Sequence, residues 1–139
     1  MLFNRERALE FMAKYDLDAL LATTRHNVLY LSGFQGWAQY TYGDATTETF
    51  ALFFKDGSVA PALIVSRQDE TYYSATGSWI EDVSGYGPRS ALNIEPGEQG
   101  ATDEERNYLS LIAEDAPREA NSVDALLRVL RERGISKGK

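Results

Sequence analysis

Apolar and polar positions along this chain change period several times, and each change marks an element. Asn4 precedes a stretch over residues 5–15 in which Ala8, Leu9, Met12 and Ala13 recur on one side at helical spacing, so the pattern predicts a capped helix. Asp16-Leu17-Asp18 interrupts it, and Ala19-Leu20-Leu21-Ala22 is a short apolar run of buried-strand type. Thr24 is placed to cap a second helix containing Val28, Leu29, Tyr30 and Leu31, with Gly33 as its left-handed stop. Residues 34–47 hold two glycines with Trp37, Tyr40 and Tyr42, and read as an ordered loop.

Two strand-like runs follow, TETFALFF (47–54) and SVAPALIV (58–65), joined by Lys55-Asp56-Gly57, a strong turn signal. Ser66 with Asp69 three residues on is a capping-box variant that opens a helix over 67–76, and Gly77 closes it. WIEDVSGY (79–86) alternates and predicts another strand. Gly87 to Ala101 has loop chemistry, Thr102 with Glu105 predicts a helix over 103–113, and Pro117 bars its simple continuation. A last helix starts at Asn121 or Ser122, carries Val123, Leu126, Leu127, Val129 and Leu130, and stops at Gly134. Helices alternating with strands and one hairpin predict an α/β fold, a mixed β-sheet flanked by helices, in a single domain over 1–139.

Composition narrows the function. With 43% hydrophobic residues the chain can bury a core without staples, and with no cysteine it offers neither a thiol nucleophile nor a thiolate metal site. A net charge of −7 repels phosphate backbones, so no nucleic-acid partner is expected. Charges at Arg5, Glu6, Arg7 and Glu10 break the apolar run that an export signal would need, and no apolar run approaches the roughly 20 residues of a membrane helix. The expectation is a cytoplasmic domain with no membrane partner.

Candidate chemistry is sparse. A hydrolytic metal site needs three or more converging His, Asp or Glu ligands, and the chain has one histidine, His26, with no HxH or HExxH pattern. Asp103-Glu104-Glu105 falls in the first turn of a predicted helix, where carboxylates complement the dipole. There is no GxSxG elbow and no GxxxxGK[ST] phosphate loop, so no catalytic residue is assigned. His26 could serve as a base or a substrate ligand, or simply be a polar first-turn residue. The aromatic set Phe34, Trp37, Tyr40 and Tyr42 suits either a pocket wall or interface, or a local core cluster.

Several blocks together resemble a known family: DLDALLAT (16–23), HNVLYLSGF (26–34), FALFFKDG (50–57), ALIV (62–65), WIEDVSGY (79–86) and VDALLRVLRERG (123–134). Their order and spacing are similar to the N-terminal domain of the creatinase, prolidase and aminopeptidase P family of Xaa-Pro peptidases. The resemblance implies a ribonuclease-H-like fold and a second, C-terminal catalytic domain that holds two divalent metal ions (Mn, Co or Zn) through two aspartates, a histidine and two glutamates. No such set occurs here, so the chain is expected to be a fragment, inactive alone, of a metallopeptidase or related hydrolase.

The resemblance further implies a homodimer in which this domain lends residues to the neighbouring subunit's active site and helps to bind a proline-containing peptide. By position the candidates for substrate binding are Trp37, Tyr40 and Tyr42, then His26. Creatinase-like members carry a carboxylate-gripping arginine in this loop, whereas Phe34 to Phe54 contains no Lys or Arg, which favours a peptidase. The segment 89–120 is longer than the usual link and acidic. The alternative is a complete binding or assembly module of the same fold without hydrolase activity.

Overall fold

The computed structural model describes residues 2–43, 48–87 and 119–135. Within them the chain runs α1 (Arg5–Tyr15), β1 (Ala19–Ala22), α2 (Arg25–Ser32), α3 (Trp37–Tyr42), β2 (Phe50–Phe54), β3 (Ala62–Ser66), α4 (Arg67–Thr76), β4 (Val83–Tyr86) and α5 (Ser122–Glu132). The strands form one sheet in the order β1-β2-β3-β4. β1 and β2 pair antiparallel, as do β2 and β3, whereas β3 and β4 are parallel. The expected mixed α/β sheet with flanking helices is therefore present.

Period-two geometry explains why the two central strands read as unbroken apolar runs. Successive side chains point to opposite faces, and here both faces are covered. Phe50, Leu52, Phe54, Ala62 and Ile64 face α5, through Ala125 and Val129. Ala51, Phe53, Leu63 and Val65 face the other way, into a core shared with Met12 of α1, Val28 and Leu31 of α2, Phe34 and Ile80. All ten residues of β2 and β3 are buried. β1 is different: it is an edge strand, and Leu21 is exposed rather than buried as its apolar run suggested.

Capping sets the helix bounds. Asn4 Oδ1 accepts the Arg7 N–H (3.0 Å), and Asn121 accepts the Asp124 N–H (2.9 Å), so α1 and α5 start where the sequence places them. Gly33 ends α2 at φ 74° in the left-handed region. The last carbonyls of α2 are satisfied from afar: Ser78 Oγ donates to Ser32 O (2.6 Å) and Trp79 Nε1 to Leu31 O (2.7 Å). That duty holds residues 78–80 out of the ladder, and β4 begins at Val83 instead of 79.

Other differences also have local causes. The hairpin loop spans 55–61 because Ser58 N–H closes a turn on Asp56 Oδ1 (2.9 Å) and Pro61 has no N–H for the ladder. Thr24 and Ser66 occupy N-cap positions without a side-chain cap bond. In α5, Val123 and Leu127 point outward while Ala125 and Val129 are buried. The predicted helix over 103–113 and most of the 89–120 segment lie outside the described residues.

Candidate functional site

The segment read as a loop after Gly33 contains α3, and this is the main correction to the sequence reading. Six residues are too few for a helix to hold itself in water, and the N-cap residue, Gly36, has no side chain with which to cap it. Its first free N–H groups are met from another element. The buried carboxylate of Asp69, in the first turn of α4, accepts the Ala38 N–H at 3.0 Å and also bonds the Trp37 N–H.

Gly36 makes that approach possible. A Cβ at this position would lie 2.9 Å from Asp69 Oδ2 and 3.2 Å from Thr49 Oγ1. Ala38 and Gln39 turn inward, and Gln39 Nε2 donates to Thr23 O (3.1 Å), which ties α3 to the end of β1. Trp37 and Tyr40, three apart and so on one face, turn outward with 46% and 59% of their surface exposed. The Arg25 guanidinium lies 5.9 Å from the centre of the Tyr40 ring. Tyr42 is the last residue of the same helix.

The four candidate residues thus divide. Trp37 and Tyr40 share a presented face, with Tyr42 ending the helix that carries it. His26 is exposed in the first turn of α2, next to Arg25, which is the residue that meets the aromatic face. Phe34 is fully buried and packs near Tyr73, with ring centres 5.7 Å apart, so it belongs to the core.

α3 stands at the end of the sheet where β3 and β4 finish, the end at which open α/β sheets commonly receive ligands. A polar seam wraps this end. On one face Arg67, Asp69 and Glu70 of α4 are all buried. Burial pushes the Glu70 carboxyl up to about 7, with the Arg67 charge pulling the other way. Burial also raises Asp69, opposed by its bonds from Ala38, Ser66 and Trp37. Arg67 approaches Glu70 to only 3.7 Å, an ion pair too long to be a hydrogen bond.

On the other face the Tyr86 hydroxyl donates to Glu48 O (2.6 Å) and accepts the Glu48 N–H (3.1 Å), while Ser122 Oγ bonds the Glu48 carboxylate at the start of α5. Burial drives the Tyr86 phenol up to about 12, so it stays a neutral donor. Sequence reading missed this seam. Its one signal was RQDE directly after an apolar strand, which the capping-box interpretation absorbed.

No group of three or more His, Asp or Glu side chains comes together as a metal-ligand set among the described residues. A cleft of about 430 Å³ lies at the opposite end of the sheet, beside Phe54, Asp56 and Arg133. There Arg133 fastens the end of α5 to the hairpin by donating to Ala60 O (3.1 Å), and to the start of β4 by donating to Asp82, with Phe54 beneath its guanidinium.

A mixed sheet with helices on both faces, carrying a capped aromatic helix at one end, defines an α/β domain. The sequence matches the model of the Creatinase/Prolidase N-terminal domain over residues 4–132, and the chain belongs to that family. It is thus a domain of the kind found in creatinase- and peptidase-like enzymes. No curated protein matches it. No helix among the described residues is long and apolar enough to cross a membrane.

Proposed function

We propose that this domain is the non-catalytic partner of a dinuclear-metal Xaa-Pro hydrolase, a cytoplasmic homodimer in which α3 closes the neighbouring subunit's active site. Trp37 and Tyr40 form the closing wall, and the hydrolytic chemistry belongs to a C-terminal domain. The observation that carries this reading is the build of α3. A six-residue helix is fixed by a buried carboxylate from another element, yet its two large aromatics face solvent. Aromatic side chains so held lose little entropy on binding and suit a proline ring or a similar apolar group. Arg25 beside Tyr40 adds a cation from α2 that the loop sequence itself lacks.

The test begins with the coding frame beyond Lys139. A continuation with two Asp, one His and two Glu in a second domain supports the reading, and a frame without them removes the peptidase. A stop there leaves the binding-module alternative. In the full enzyme, Trp37→Ala should lower kcat/KM for an Xaa-Pro peptide by about tenfold or more, the scale of a lost aromatic contact. Unchanged kinetics would remove α3 from the site.

A further inference from the structure

We propose that Asp69 is the positioning residue of the α3 aromatic face: its carboxylate, offered from α4, sets the orientation of Trp37 and Tyr40. The inference rests on the reading of α3 as a presented wall only for its consequence in catalysis, and its structural part stands on geometry alone.

Three observations carry it. α3 has no side-chain cap of its own, since its N-cap residue is Gly36. Asp69, thirty-one positions from Ala38 in the chain, accepts from two N–H groups of the first turn, and one of these bonds is to the backbone of Trp37 itself. Finally, Gly36 lies against the same carboxylate so closely that any Cβ would displace it. A carboxylate whose only role was to begin α4 would bond the N–H groups of α4. Asp69 instead turns away from its own helix, with only the Ser66 hydroxyl of that terminus within reach at 3.4 Å.

Because Asp69 is completely buried, its charge is tolerated through the dipole and the two N–H groups of α3. The dependence is mutual: loss of the carboxylate frees the first turn of α3, and six residues do not remain helical unaided. The aromatic pair then loses its fixed direction while the sheet and the other helices keep theirs.

The chain has two tryptophans, which makes the effect directly readable. Trp79 is anchored by its bond to Leu31 O and serves as the internal control. The protein labelled with 5-fluorotryptophan gives two fluorine resonances, assigned with Trp37→Phe. Asp69→Ala should move the Trp37 resonance towards the free amino-acid position and leave that of Trp79 in place. Asp69→Asn keeps one acceptor and should give a smaller shift in the same direction. A Trp37 resonance unmoved in a folded Asp69→Ala protein overturns the proposal. So does the simultaneous collapse of both resonances in Asp69→Asn, which would make Asp69 a general element of the fold. Kinetics of the complete enzyme separate the two layers. With the resonance shifted, an approximately tenfold loss in kcat/KM carried by KM supports both readings. A shift with unchanged kinetics keeps Asp69 as the positioning residue and removes the wall from catalysis.

Discussion

The carboxyl group of Glu70 lies against Gly85 so closely that a Cβ on that glycine would fall 1.8 Å from Oε1 and 3.0 Å from Cδ. β4 can come up beside β3 beneath α4 only because residue 85 has no side chain. Val65, its neighbour across the parallel ladder, points to the same face. Gly85→Ala should therefore cost about 1–3 kcal/mol, the usual range for overpacking a tight site. Urea denaturation would show it as a lower midpoint with unchanged slope. Glu70→Ala in the same chain should recover part of the loss, and strict additivity would show that the two residues do not meet.

The same carboxyl should make stability depend on pH. Glu70 is held at about 7 in the folded protein, against an ordinary value of 4.5. Between these values the folded chain keeps a proton that the unfolded chain has released. The contribution is complete below 4.5 and is lost as pH rises through about 7. Asp69, also raised by burial, acts with the same sign at the acid end. Melting temperatures measured from pH 5 to 8 should fall over that window, and Glu70→Gln should flatten the slope. A Glu70→Gln profile as steep as the wild-type one would show that another group titrates.

Two side-chain caps should prove worth about as much as each other. Asn4 and Asn121 each accept an N–H three residues on, at the starts of α1 and α5. Asn4→Ala and Asn121→Ala should each cost about 1 kcal/mol, whereas Thr24→Ala, at a position with no cap bond, should cost less. Parallel thermal melts of the three variants would rank them.

How much was legible in the sequence follows from where the physical cause of each element lies. α1 and α5 were readable because cap, periodicity and stop all lie within one short local stretch of chain. The central strands were readable as continuous apolar runs, although that signal could not separate them from edge strand β1. α3 was not readable, because its cap comes from Asp69 and its inward tie reaches back to Thr23. Glu70 was hidden in a similar way. Its burial depends on Gly85 in a distant strand, and locally it is indistinguishable from an acidic residue complementing a helix N-terminus. The aromatic candidates were found, but their division into core and surface required the helix.

That division gives a last prediction. Phe34 is fully buried against Tyr72 and Tyr73, at 6.4 and 5.7 Å between ring centres, and it packs in the same core as Leu31 and Ile80. Trp37 and Tyr40, three and six residues later, are each about half in solvent. If the whole cluster were a local core, all three would be costly to truncate. The geometry instead expects Phe34→Ala to cost about 3–5 kcal/mol, a large fraction of the stability of a domain this size. Trp37→Ala should cost about 1 kcal/mol or less, since half of its surface gains nothing from folding. Tyr40→Ala should behave similarly, with a small extra loss from its contact with Arg25. Chemical denaturation of the three variants measures this directly. Equal large losses at Trp37 and Phe34 would return the aromatic helix to the core and leave the proposed wall without a surface.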